Sequence, residues 1–316
     1  MTLNITIVAP WGIWQCSDLR LTRWPSGEVV DDYSIKHVAA RCTDGTALIS
    51  YTGLGRVGRD SVSDWLRRTI RGESRTVDET LIFIRENATS KLGRAAANLG
   101  IRHTFIVGAF LAGRPWAVAV TNMSPDRPLE SPPVPEFNTS AIMVGSPRRP
   151  MAFVTGARDA VGPEDMALLD RISTRRPKRP IDYRRLLAEI NRRASKQRPF
   201  GKLITEACVT AYIPPTGEPF EHETHWWGLT QPSIQRQIPS LLFGIDLTEL
   251  TKVMTDNFEA LHDPNPATRE EAQIRFWTCV GSVDCLRLGT VRGKESSATN
   301  EPGLPSGVSP RSYPAG

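Results

Sequence analysis

The chain has 316 residues, 40% of them apolar, and a formal net charge of +5. That length allows one large domain or two ordinary ones. No run approaches the 18 apolar residues of a membrane span, and the opening residues lack the basic and apolar blocks of a secretion signal. Five cysteines (Cys16, Cys42, Cys208, Cys279, Cys285) form no CxxC and are odd in number; they read as reduced thiols in a cytoplasmic protein with no membrane partner.

Residues 2–9 alternate, with Leu3, Ile5 and Ile7 on one face and Thr2, Asn4 and Thr6 on the other, which predicts a strand. A turn at 10–12 and the returning stretch 12–18 complete a hairpin. Two further apolar runs, "SIKHVAARC" and "TALISYT", flank Asp44-Gly45, a strong hairpin dipeptide. The first 52 residues therefore read as four antiparallel strands. Helices are expected over 58–72, closed by Gly72, and over 77–100. Strands return at 103–113, 115–123 and 140–146, then helices at about 163–174 and 181–197, then a strand at 206–213. Asp246 is a plausible N-cap for a helix carrying Leu247, Leu250, Met254, Phe258 and Leu261. Pro266 fits the first turn of another helix ending near Gly281. Beyond about Gly289 there is almost nothing to bury, and disorder is expected. No internal repeat is evident. Runs of strands separated by helix pairs imply an α+β chain whose sheets pack on each other with helices outside.

"GLGRVG" (53–58) is a literal GxGxxG. The context argues against a dinucleotide site, because a second helix follows where a parallel strand is required. A tight strand-to-helix turn is the expected role. Thr2 gives the loop another meaning. Met1 precedes a small residue, so its removal is expected, leaving a free amine and a hydroxyl on one residue as a base and nucleophile pair. Such a hydroxyl needs a nearby cation and donors for an oxyanion. Asp18 and Lys36, at the ends of the second and third strands, are candidates for the ion pair. The Gly53 amide is the candidate oxyanion donor.

Thr2, Gly12, Asp18, Arg20, Lys36 and Gly53, in that order, resemble the N-terminal-nucleophile (Ntn) hydrolase superfamily, most of all its proteasome β-subunit branch. The spacing from Thr2 to Asp18-Leu19-Arg20 matches without a gap, while Lys36 and Gly53 need short insertions. "VGSP" (144–147) resembles the Gly-Ser turn that supports the terminal amine, which implies that role for Ser146. "TEACVTAYI" resembles the late strand that implies Thr205 opposite it. Where the family has an aspartate this chain has Lys202, a departure that bears on support of the amine. The resemblance covers about residues 2–213. It implies a four-layer αββα sandwich of two antiparallel sheets (the Ntn-hydrolase fold), with catalytic residues Thr2, Asp18, Lys36, Gly53, Ser146 and Thr205 and no metal or organic cofactor. It also implies a peptide or small amide substrate and a homo-oligomer. The domain division that follows is a core at 1–215, an extension of strand and helices at 216–288, and the tail at 289–316. A rival reading is a proteasome-like scaffold without catalysis.

Two other features take blander readings. The arginines and lysines of 175–198 leave Ile181, Leu186, Leu187 and Ile190 to be buried, so they read as a solvated face. Interleaved aromatics are missing, and nucleic acid is not an expected partner. "EHETH" places His222 and His225 three apart, where a zinc-protease helix needs four.

Overall fold

In the computed structural model the described residues are 2–124, 130–143, 150–216, 218, 220–232, 237–256 and 258–280. The chain is α+β. Its strands are β1 (Leu3–Ala9), β2 (Gly12–Asp18), β3 (Leu21–Thr22), β4 (Val29–Asp31), β5 (His37–Arg41), β6 (Gly45–Thr52), β7 (Arg56–Val57), β8 (Asp60–Ser61), β9 (Thr104–Leu111), β10 (Arg114–Thr121), β11 (Asn138–Met143), β12 (Met151–Gly156), β13 (Cys208–Ile213), β14 (Glu221–His225), β15 (Ser240–Leu242) and β16 (Ile245–Asp246). The helices are α1 (Val62–Ile70), α2 (Val77–Ala88), α3 (Arg94–Asn98), α4 (Pro163–Ser173), α5 (Pro180–Lys196), α6 (Leu247–Asp256), α7 (Phe258–Leu261) and α8 (Pro266–Val280).

A five-stranded sheet runs β12-β1-β2-β13-β14, and a seven-stranded sheet runs β11-β10-β9-β6-β5-β15-β16. Pairing is antiparallel except where β15 lies parallel to β5. Alternation along β1 sends Leu3, Ile5 and Ile7 into a core with Leu169 of α4 and Leu187, Ile190 and Ala194 of α5. Trp14 anchors that layer, its ring 5.1 Å from Tyr183 and 4.8 Å from Tyr212. On the seven-stranded sheet, Ile49, Tyr51, Phe105, Val107 and Val118 pack with Leu66 of α1 and Ile84 of α2. Ser61 caps α1, and Thr76 with Glu79 forms a capping box on α2. A third cluster is shared by both sheets: Val8, Ile13 and Val209 from one, Ala39, Leu48, Phe110 and Ala117 from the other.

The four opening strands do not form one antiparallel set. β1 and β2 belong to the five-stranded sheet, β5 and β6 to the seven-stranded one. The other edge of β2 is taken by β13, about 190 residues later, and that of β5 by β15. Such long-range pairings leave no local mark on sequence. The glycine loop also differs from a simple turn: the β7–β8 hairpin stands between β6 and α1. The expected 77–100 helix is α2 and α3 joined through a π turn at Thr89–Gly93. Asp246 does cap α6, its Oδ1 accepting from the Thr248 and Glu249 amides at 3.1 Å. The extension after residue 215 adds β14 to one sheet and β15 and β16 to the other. The expected tail at 289–316 lies outside the described residues. Cys16, Cys42 and Cys208 are free and buried. Among the described residues no helix is long and apolar enough to cross a membrane.

Candidate active site

Thr2 stands directly before β1 and is 4% exposed. Its carbonyl accepts the Ala157 amide at 2.8 Å. This contact depends on Gly156, at φ +79°, where a Cβ would stand 1.8 Å from the Thr2 oxygen and 3.1 Å from Thr52 Cγ2. Gly156 thus fastens the start of β1 beside the end of β6. Gly156→Ala is expected to lose more than about 2 kcal/mol, because backbone has to move as well as a positive φ be held. Gly58→Ala, at φ +62° with nothing within 4 Å of its added Cβ, carries the conformational cost alone, about 1 kcal/mol. Urea midpoints for the two variants measure the difference, and equal shifts would contradict the contact.

The antiparallel register that sets Asn4 opposite Ser17 brings Asp18 beside Leu3. Asp18 is fully buried. Its Oδ1 accepts the Leu3 amide at 2.9 Å, and its Oδ2 accepts the Arg20 amide at 2.9 Å. Lys36, immediately before β5, is equally buried, with Nζ 3.0 Å from Asp18 Oδ1. The ammonium also donates to the carbonyls of Asp18 at 2.7 Å and Arg20 at 2.8 Å. An ammonium has three donors, and three acceptors hold them. Burial pushes the Lys36 pKa down by more than the Asp18 charge raises it. Lys36 Nζ therefore sits in a low-dielectric site at the head of β1, where a charge acts on its neighbours more strongly than in water.

Arg20 holds this turn from outside. Its guanidinium pairs with Asp32 at 2.5 Å and donates to the carbonyls of Gly201 and Lys202 at 3.3 Å. Lys202 itself is exposed. Thr205 is buried at the start of the β13 segment, where Cys208 pairs with Asp18 and the Leu19 amide reaches the Ala207 carbonyl at 3.2 Å. The Thr205 hydroxyl accepts the Ala207 amide at 3.4 Å, and its carbonyl accepts from Asn191 at 3.0 Å. Gly53 follows β6 at φ +107°, where a Cβ would stand 2.7 Å from the Arg102 carbonyl. Asp18 and Lys36 are therefore joined beside Leu3, the residue after Thr2, and Thr52, the residue before Gly53, lies near the Thr2 backbone through Gly156. Ser146 lies outside the described residues.

Two histidines at this end escaped sequence reasoning. His103 Nδ1 accepts the Leu54 amide at 3.0 Å, fixing the turn after Gly53. His37 Nδ1 is 3.2 Å from Ser17 Oγ. Both are fully buried, and burial pushes both pKa values down to about 3, with Lys36 adding to the effect on His37. A lone histidine at the edge of an apolar run carries no periodic signal, so neither stood out. The unfolded chain takes up these protons below pH 6.5, the folded chain only near 3. Stability is therefore expected to fall as pH drops from 6.5, by about 1.4 kcal/mol per pH unit for each histidine. Urea midpoints at pH 7, 6 and 5 measure the slope, and His37→Asn should flatten it by the share of one histidine. His222 and His225 sit on opposite faces of β14, as alternation requires. Among the described residues no group of three side chains suits a metal ion. In the basic helix α5, Arg193 pairs with Asp165 and Arg184 with Glu221 at 2.8 Å.

No family model matches the chain, and no curated protein does. Solved structures do. The helical assembly of the Anbu complex from Pseudomonas aeruginosa superposes with a TM-score of 0.50 at 14% identity, covering 84% of this chain and 99% of that one. Anbu (ancestral beta-subunit) from Yersinia bercovieri gives 0.49 at 13% identity, over 70% of this chain and 87% of that one. At such identity the Pseudomonas likeness speaks to the fold alone. The expected family resemblance is corrected by this finding. These structures are Anbu proteins, and at this identity they do not carry an assignment to the Ntn hydrolase superfamily or to its proteasome β-subunit branch. The physical reason is that the matched pieces sit at strand ends. Their spacing is set by strand lengths and turns, so it reports topology and stops short of superfamily.

Proposed function

We propose that the chain is a proteasome-like hydrolase of amide bonds, peptide bonds among them, with Thr2 as its nucleophile once it becomes the first residue. The observation that carries this reading is the single oxygen of Asp18 that joins the Leu3 amide to the Lys36 ammonium. It ties a desolvated cation to the residue following Thr2. In the proposed cycle Thr2 Oγ attacks the substrate carbonyl, and its proton passes to the Thr2 amine and on to the departing amine. The ester so formed is cleared by water, with the Thr2 amine again as base. The field of Lys36 favours the alkoxide, Asp18 orients the lysine, and the Gly53 amide stabilises the oxyanion. Ser146 and Thr205 would support the amine. The chemistry calls on no cofactor.

The proposed architecture is the four-layer αββα sandwich, supported by the cluster that both sheets share and by the helix layers on their other faces. Residues 1–215 would form the catalytic core and 216–288 an extension that shapes an assembly surface. Self-association into a homo-oligomer is proposed with it, in line with the helical assembly of the Pseudomonas aeruginosa protein.

A second reading, a proteasome-like scaffold without catalysis, is favoured by two observations. Thr2 is nearly covered, and all three donors of Lys36 are engaged by other oxygens. Intact mass of the purified protein separates the two. The hydrolase reading expects a chain that begins at Thr2. A residue retained before Thr2 turns the required amine into an amide, and only the scaffold reading survives.

A further inference from the structure

The space between the sheets changes character along its length. At one end the contacts are apolar, through Val8, Ile13, Leu48 and Phe110. At the Thr2 end four fully buried polar side chains close a ring across the two sheets. Asn4 and Ser17 are cross-strand partners in the five-stranded sheet, and His37 and Ser50 are cross-strand partners in the seven-stranded sheet. Asn4 Nδ2 donates to Ser50 Oγ at 2.5 Å, and Ser17 Oγ meets His37 Nδ1 at 3.2 Å. Each member neighbours a residue of the candidate site. Asn4 is two along from Thr2 on the same face, Ser17 precedes Asp18, His37 follows Lys36, and Ser50 is three before Gly53.

Apolar contact between sheets is non-directional and tolerates sliding, whereas hydrogen bonds between fixed strand positions do not. A buried polar ring is an inefficient way to gain stability. Among the described residues Asn4 Oδ1 and His37 Nε2 have no protein partner, and each such group costs free energy. Fixing register is the best-attested use of such buried polar contacts. We propose that Asn4, Ser17, His37 and Ser50 are positioning residues that hold the strands bearing Thr2 and Asp18 in register with those bearing Lys36 and Gly53. The reactive geometry is assembled from two sheets, so a slip between them would separate nucleophile from cation without unfolding either layer. This inference rests on the hydrolase reading above for its catalytic meaning, and on the ring's geometry for the rest.

The test compares Ser50→Ala and Ser17→Ala with Ile13→Val, which trims the apolar end of the same interlayer. The comparison is made at urea concentrations that equalise stability. Two quantities are read: the rate at which a peptide epoxyketone modifies Thr2, and hydrogen exchange at the Leu3 amide, which Asp18 holds. Both serine variants are expected to slow modification at least tenfold and to speed Leu3 exchange at least tenfold relative to Ile13→Val. If they match Ile13→Val in both, the ring is packing only and the proposal fails. Faster exchange with undiminished modification also overturns it. If the unsubstituted protein is not modified at all, the hydrolase reading falls by itself, and the Leu3 comparison decides whether the ring sets register. Should one serine variant fail to fold, the other carries the comparison.

Discussion

Thr2→Ala is expected to abolish amide hydrolysis, with at least about a 10³-fold loss of kcat/KM on any peptide anilide the protein accepts. Stability should stay nearly unchanged, because the structural contact of this residue is its carbonyl on the Ala157 amide, which alanine keeps. Thr2→Ser retains a hydroxyl and an amine and should retain measurable turnover. It loses the β-branch that limits χ1, so the nucleophile is less well held and the rate is lower. This pattern, with loss in alanine and partial retention in serine at equal urea midpoints, separates a nucleophile from a packing residue. Equal turnover in all three would refute the assignment of Thr2.

Breaking the Asp18–Lys36 pair carries the largest expected change in stability. Asp18 serves three donors with two oxygens: Leu3 N and Lys36 Nζ on Oδ1, and Arg20 N on Oδ2. Asp18→Asn leaves one acceptor and turns an amide NH₂ toward one of those donors, beside a lysine that has lost its hydrogen-bonded carboxylate. Lys36→Met leaves a buried carboxylate facing two amides. Each single substitution is expected to lose about 3–5 kcal/mol, the range for stranding one partner of a buried pair. The double variant should lose less than the sum of the singles, with a coupling of about 1–3 kcal/mol in a double-mutant cycle. Additive losses would show that the two side chains act independently. Asp18→Asn should also slow any reaction of Thr2, since the lysine is no longer oriented at the head of β1.

Much of the local structure was legible. The β1–β2 hairpin, the Asp44-Gly45 hairpin, α4, α5, β13 and the cap of α6 by Asp246 all follow from alternation, turn residues and capping chemistry. The sheet order was not, because β2 meets β13 and β5 meets β15 across long stretches of chain, and no residue type announces a distant partner. β12 was missed for a related reason: its burial is graded, with no clean alternation, and its role becomes visible only where Gly156 meets Thr2. The ion pair of the candidate site was legible as residue types at strand ends. Its saturation by the Asp18 and Arg20 carbonyls was not, because backbone acceptors are the same in every sequence. His37 and His103 were invisible because a buried neutral histidine differs from an exposed one only in its surroundings. The family resemblance went too far for the opposite reason. Spacing between strand ends was read as ancestry, when the comparisons support a shared topology with Anbu proteins.

The central claim is that Thr2 Oγ is a nucleophile in the field of Lys36. Its most direct test is mass spectrometry of the protein after treatment with a peptide epoxyketone, which captures an amine and a hydroxyl on one residue together. The expected result is a single adduct whose peptide map ends on Thr2, absent in Thr2→Ala and slowed in Lys36→Met. An unmodified first residue under conditions that saturate the reagent, or an adduct that persists in Thr2→Ala, would contradict the account.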